Sequence, residues 1–223
     1  MSPVRLAVFD CDGTLVDSQH SIIESVQRAW AAEGLEPPSD EFIRTGVGLR
    51  LDFAIPRLAP DAPGEVHDRL IEHYKQAFFT IRQQPGHEEP LYPGTLEALD
   101  QLDEDGVLLA VATGKSRRGL NATLERHGLL DRFVVLKTAD DGPSKPDPKI
   151  LRDAIKEAGA NFATTAMIGD TVFDISMACA ARTHAIGVSW GYHPVDELKK
   201  AGAAAVIDRY ADLPGLLHRI WSI

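Results

Sequence analysis

The sequence predicts an α/β fold: a doubly wound parallel sheet, covered by helices on both faces, with an all-helical cap inserted after the first strand. Three observations carry this. The apolar run Val4–Phe9 stops abruptly at Asp10-Cys11-Asp12-Gly13-Thr14, as a buried strand with polar chemistry at its carboxyl end would. Residues 19 to 88 show helical periodicity and no strand pattern. From Pro90 onward strands and helices alternate, which implies right-handed crossovers and a parallel sheet.

In the insert, Ile22, Ile23, Val26, Ala29 and Trp30 recur at helical spacing, and Gly34 ends that run. Pro37-Pro38-Ser39-Asp40 restarts a helix, with Ser39 or Asp40 as its cap. Thr45-Gly46-Val47-Gly48-Leu49-Arg50 is a break before a further helix over 51–58, and Pro60-Asp61-Ala62-Pro63-Gly64 is a turn before another over 65–84. Beyond Pro93-Gly94 the pattern predicts helices over 95–104, 117–127, 148–158, 174–181, 195–201 and 213–220. Strands are expected over 107–112, 133–136, 166–168 and 184–188, with a short edge strand at Val206-Ile207. The expected division is a Rossmann-like core of residues 1–17 and 90–223 and a cap of residues 18–89. Hinges are expected near 17–19 and 88–93.

Composition narrows the function classes. The 223 residues are 44% hydrophobic and 25% charged, ordinary for a globular chain with a sizeable core. A formal net charge of −10 speaks against nucleic acid as a partner, though a metal and local cations can still draw an anion into one cleft. Cys11 and Cys179 are the only cysteines, so no disulfide framework or zinc spacing exists. The first strand begins without a signal-type region, and no apolar run is long enough to span a bilayer, so a cytoplasmic protein with no membrane partner is expected.

The strand ends carry the chemistry. Alternation along a strand puts Asp10 and Asp12 on one side. Carboxylates that close repel unless a divalent metal, a shared proton or both lie between them. Gly13 permits the tight turn, and Thr14 offers a hydroxyl or an N–H to an anion. The second core strand ends in Ala112-Thr113-Gly114-Lys115, where the Thr113 hydroxyl and neighbouring N–H groups suit a phosphoryl oxygen; an ordinary turn would read the same way. In Pro143-Ser144-Lys145-Pro146-Asp147-Pro148 two prolines stiffen the backbone around Lys145, a point charge for a phosphate or carboxylate, or else a polar loop whose Pro148 starts a helix. The strand ending Met167-Ile168-Gly169 delivers Asp170, with Asp174 four residues on. Three or four Asp with no Cys or His nearby favour Mg²⁺ over zinc. The eight histidines show no ligand spacing and are expected at the surface or its boundary.

Asp10-Cys11-Asp12-Gly13-Thr14-Leu15, Thr113-Gly114, Lys145-Pro146 and Gly169-Asp170-Thr171-x-x-Asp174 stand in the order found in the haloacid dehalogenase superfamily. The chain resembles its branch with a helical cap after the first strand, and within that branch the phosphoglycolate phosphatases. Asp17-Ser18, Pro93-Gly94 and Gly187-Val188-x-Trp190-Gly191-Tyr192 fit as well. The resemblance implies that Asp10 is a nucleophile forming an aspartyl-phosphate, and that Asp12 protonates the leaving oxygen and then activates water. It implies that Asp10, the carbonyl of Asp12 and Asp170 surround Mg²⁺ with Asp174 in support, and that Thr113 and Lys145 hold the phosphoryl group. Thr14 and Gly114 fall among the substrate-binding positions. Arg182 stands where these phosphatases usually have Gly, so a left-handed helix end is costlier there.

Phosphoryl transfer needs in-line positioning and neutralised equatorial oxygens, and a carboxylate nucleophile divides it into two easier steps. Dehalogenases of the family lack the second Asp and phosphonate-cleaving members have Ala there, so Asp12 favours phosphate esters. Sugar phosphomutases carry a cap His at the position of Ile22, and His20 lies two residues short. The expected substrate is a small phosphorylated metabolite, with 2-phosphoglycolate first and pyrophosphate or a sugar or nucleotide phosphate next, acted on by a monomer or homodimer. A phosphoacceptor receiver would lack the helical insert, and a non-catalytic phosphate-binding protein would not need Asp12. Arg50, in the loop where relatives place substrate specificity, is expected to point into the cleft toward a carboxylate or second phosphate, with Lys75 a further cationic position.

Overall fold

The computed structural model describes residues 3–222. Its strands are β1 (Leu6–Phe9), β2 (Leu108–Ala112), β3 (Val135–Lys137), β4 (Thr165–Gly169), β5 (His184–Val188) and β6 (Ala205–Ile207), all parallel in the order β3-β2-β1-β4-β5-β6. Strand β1 is central and wholly buried, and its side chains divide between two apolar clusters. Ala7 and Phe9 pack with Leu99, Leu120 and Leu217 on one face. Leu6 and Val8 pack with Ile155, Ile175 and Leu198 on the other. A strand covered on both faces needs both sets of apolar residues, which is why the run reads as continuous.

Between β1 and β2 lie α1 (Gln19–Ala32), α2 (Asp40–Arg44), α3 (Leu51–Leu58) and α4 (Gly64–Arg82). They share a third apolar cluster, with Ile22, Val26, Trp30, Ile43, Ile55 and Leu70 buried together. Ser39 caps α2 by accepting from the Phe42 N–H at 3.2 Å, as its position before Asp40 implied. The remaining helices are α5 (Thr95–Glu104), α6 (Arg117–Arg126), α7 (Lys149–Glu157), α8 (Val172–Ala181), α9 (Val195–Ala201) and α10 (Leu213–Trp221). Helices α5, α6 and α10 cover the face of Phe9, and α7, α8 and α9 the face of Val8.

Two local differences from the sequence expectation have physical reasons. Helix α8 starts at Val172 instead of 174, because Thr171 and Asp174 form a reciprocal capping box that admits one more half-turn. Strand β3 starts at Val135, later than the apolar run, because Phe133 closes a short 3₁₀ turn and packs edge-on against Phe9 at 6.4 Å.

Register places the site. Phe9 stands opposite Val111 on one side and Ile168 on the other, so the residues beyond β1, β2 and β4 emerge together. The chain passes from β1 outward to β2 and β3, then returns to β4 on the opposite flank of β1. Such a reversal leaves a crevice at the carboxyl ends of the strands.

Candidate active site

Asp10 follows β1 and its N–H donates to the Ile168 carbonyl at 2.9 Å. The chain then turns through Gly13, whose φ of 84° is open to glycine at little cost. A Cβ there would also press on the Asp170 carboxylate and the Tyr192 ring. Gly191 is constrained in the same way, since a Cβ would overlap the Asp170 side chain. These two glycines let the backbone close on Asp170, which accepts from Thr14 Oγ1 at 2.8 Å and from the Tyr192 N–H at 2.9 Å.

Lys145 is buried, with Nζ 2.9 Å from Asp10 Oδ1 and 2.6 Å from Asp174 Oδ1. The other Asp174 oxygen accepts from the Thr171 N–H at 3.1 Å and Oγ1 at 2.7 Å. Asp174 is therefore saturated by its lysine and its capping box. Asp10 is not: both its carboxylate oxygens are buried without a well-directed hydrogen bond. Asp10, Asp170 and Asp174 each present an oxygen within 4.8 Å of the others. Three carboxylates facing one ammonium leave two negative charges unbalanced, which fits a divalent cation held by oxygen ligands.

The electrostatics follow from that crowding. Burial pushes the Asp10 carboxyl up to about 6; Lys145 opposes the rise, while Asp174 and Asp12 add to it. Asp170 is raised well above the ordinary carboxylate range by burial, then by Asp174 and Asp10. Burial alone would lower Lys145, but Asp10 and Asp174 keep it charged beyond the usual lysine range.

Asp12 sits beside this cluster in a different environment. Its Oδ1 accepts from Ser18 Oγ at 2.6 Å and Lys115 Nζ at 2.7 Å, and its Oδ2 lies 3.0 Å from the same ammonium. Burial would raise its pKa, but Lys115 and the Ser18 hydrogen bond hold it below the ordinary value. Two aspartates one residue apart are thus driven in opposite directions, Asp10 up by burial and Asp12 down by Lys115 and Ser18. Lys115 was not singled out from the sequence as a site residue. Its signal was present, since Thr113 and Lys115 lie two apart just past β2 and share a side.

Asp10, Asp12, Thr113, Gly114 and Lys115 line a cavity of about 850 Å³ beneath the helical cap. The family model described as haloacid dehalogenase-like hydrolase matches residues 7–188. The chain belongs to that family. This family member is 36% identical over 217 residues to the protein named "Probable phosphatase IndB" of Dickeya dadantii, covering 96% of this chain and 94% of that one. It is 32% identical over 226 residues to a phosphoglycolate phosphatase of Agrobacterium fabrum, covering 97% and 94%. Among solved structures, a hydrolase from Pseudomonas syringae superposes with a TM-score of 0.84 at 28% identity, over 98% of this chain and 99% of that one. The chain is accordingly a hydrolytic enzyme of the haloacid dehalogenase-like type.

The expected residues of this hydrolase are gathered unequally. Asp10, Asp12, Thr113, Lys145, Asp170 and Asp174 meet at the crevice. Gly114 does too, where a Cβ would strike the Gly48 carbonyl, so its lack of a side chain lets cap and core touch. Thr14 departs from its expected contact with substrate. It is fully buried, its hydroxyl serves Asp170, and its carbonyl accepts from Tyr210 OH at 2.8 Å and Trp190 Nε1 at 3.2 Å. Arg50 departs as well. Its guanidinium is turned to Asp52 at 2.7 Å and to the Gly142 carbonyl at 2.8 Å, and it does not line the cavity. A carboxylate two residues away and a nearby carbonyl satisfy it more cheaply than a half-apolar cleft would. Lys75 lines the cavity but pairs with Glu72 at 2.6 Å in an exposed position. His193, expected near the surface, is buried and accepts from the first N–H of α8 at 3.2 Å.

Proposed function

We propose that the chain is a Mg²⁺-dependent phosphatase of small phosphorylated metabolites that works through an aspartyl-phosphate on Asp10. The single observation carrying this is the state of Asp10: a fully buried carboxylate with two underused oxygens, flanked by a charged lysine, two further aspartates and Thr113. No structural role is served by leaving such a group unsatisfied.

Asp10 and Asp170, with the Asp12 carbonyl, would hold the metal, while Asp174 fixes Lys145 beside it. Bound there, the cation offsets charge on the phosphoryl oxygens. An Asp10 oxygen attacks phosphorus as the ester P–O bond breaks, with Asp12 giving its proton to the departing alcohol. Water then attacks the aspartyl-phosphate, its proton returns to Asp12, and the P–Oδ bond breaks to free phosphate and Asp10. Lys145 and Thr113 keep the equatorial oxygens in place through both halves. The first half requires Asp12 protonated, against the pull of Lys115, whereas the second half, in which Asp12 accepts a proton, is the one Lys115 favours.

The phosphoglycolate phosphatase names among the relatives make 2-phosphoglycolate the first ester to test. Phosphate release measured with Mg²⁺ is expected for wild type and to fall at least about 10⁴-fold in Asp10→Asn, since no nucleophile remains. In Asp12→Asn the phosphoenzyme is expected to accumulate on an ester with a good leaving group. Turnover by Asp10→Asn near the wild-type rate would end the mechanism.

A further inference from the structure

The site's phosphoryl end is small and polar, and the space above it is larger, with a broad apolar wall. The cap is docked on the core from two sides. On one, the Arg50 N–H donates to Ser144 Oγ at 3.1 Å, and Gly48 closes on Gly114. On the other, Arg82 reaches the Gly119 carbonyl at 3.3 Å and Thr123 Oγ1 at 3.1 Å. With these contacts made, about 850 Å³ still remains. A two-carbon phosphoester has the bulk of roughly nine waters, about 270 Å³ at liquid density. The cavity is in the range that holds ligands several times larger.

Much of its wall is apolar. Ile22, Val26, Ile43, Val47, Ile55 and Leu58 belong to the cap's own buried cluster and at the same time line the cavity, so the cap interior opens directly toward Asp10. Tyr74 and Phe78 line it as a near-parallel pair, centroids 5.8 Å apart and planes at 21°. Three of the lining cations are paired, Lys115 with Asp12, Arg82 with Glu89 at 3.3 Å and Lys75 with Glu72, while Arg118 stacks on Phe79 and Arg126 donates to the Arg82 carbonyl. Arg50, the residue expected to receive a carboxylate, faces Asp52.

Resting on the phosphatase reading, we propose that the preferred substrate is a phosphomonoester whose alcohol carries an aromatic or heterocyclic ring, with the ring packed in the cap against Tyr74 and Phe78 and the phosphoryl group at Asp10. A nucleoside monophosphate, at roughly two to three times the bulk of phosphoglycolate, is of the right size. Apolar walls with an aromatic pair among them reward such a ring.

The test measures kcat/KM with Mg²⁺ for a purine nucleoside 5′-monophosphate, pyridoxal 5′-phosphate, glycerol 3-phosphate and 2-phosphoglycolate. At least one ring ester is expected to exceed both acyclic esters by tenfold or more. Phe78→Leu, which keeps bulk and removes the flat face, is expected to raise KM for the ring ester about fivefold with little change in kcat. Ala54→Phe, which fills the cavity, is expected to lower kcat/KM for the ring ester at least ten times more than for 2-phosphoglycolate. Calorimetric binding of the same four esters to Asp10→Asn ranks them without turnover, so a failed phosphatase reading and a failed ring proposal are told apart. Hydrolysis with 2-phosphoglycolate equal or preferred overturns the proposal and leaves the phosphatase standing. Equal binding of ring and acyclic esters, or a ring preference untouched by both substitutions, overturns it too.

Discussion

Asp12 shares one oxygen between the Ser18 hydroxyl and the Lys115 ammonium, and Lys115 in turn lies 4.9 Å from the Phe78 ring centroid of the cap. Removing the ammonium would leave a buried carboxylate without its main counter-charge, and an adjacent opposite charge commonly moves a carboxyl by about one to three pKa units. In Lys115→Met the acidic limb of the kcat profile is therefore expected to move to higher pH by about that amount, with kcat at neutral pH down roughly 10- to 100-fold. An unmoved limb with a general loss of activity would make Lys115 a structural residue only. At this scale the aspartates and Thr113 were legible because each ends a strand or follows one closely, and Lys145 because two prolines bracket it. Lys115 carried a signal in its spacing from Thr113, but the sequence does not show that its partner is a carboxylate 103 positions away. Arg50 misled for a related reason: the sequence shows a cation in a loop, but not that Asp52 and the Gly142 carbonyl claim it first.

Helix α8 carries the next argument. Its start is fixed by Thr171 and Asp174, so one carboxylate both caps the helix and anchors Lys145. Its end is less comfortable. Arg182 takes φ 62°, ψ 37°, the left-handed conformation, is exposed, and makes no side-chain hydrogen bond or ion pair among the described residues. A side chain there costs about 1–2 kcal/mol, partly offset by the greater unfolded freedom of glycine. Arg182→Gly is expected to raise stability by ~0.5–1 kcal/mol, read as a higher urea midpoint at unchanged m-value, with kcat/KM unaltered. A fall in midpoint would mean that Arg182 makes a contact worth more than the strain. The elements themselves were legible from periodicity and caps, and the misplaced ends are those set by side chains: the capping box at Thr171 and the packing of Phe133 on Phe9. What periodicity leaves out is docking. The cap closes through Arg50 to Ser144 and Arg82 to Thr123, pairs 94 and 41 positions apart that no local pattern announces.

Across the whole molecule, the ends of β1 and β4, the loop carrying Lys145 and the start of α8 deliver charge to one buried point, and the cost of that convergence depends on pH. Asp10 and Asp170 bind protons more tightly in the folded chain than in the unfolded one, since both are raised, chiefly by burial. Their contribution to the stability of the metal-free protein is therefore full below the ordinary carboxylate range and is lost as pH rises, for Asp10 through about 6. A divalent cation reverses this, because it binds the ionised carboxylates and competes with the same protons. At about 100 times its dissociation constant the ion adds ~2.7 kcal/mol, or roughly 5–10 °C in Tm for a chain of this size. Thermal melts are thus expected to show that Mg²⁺ raises Tm by about this much at pH 7.5 and by less than half as much at pH 5. Chelation should return the pH 7.5 curve to its metal-free position, and Asp10→Asn should shrink the shift at both pH values. An equal or larger shift at pH 5 would place the ion away from Asp10 and Asp170, and no shift at pH 7.5 would remove magnesium from the site.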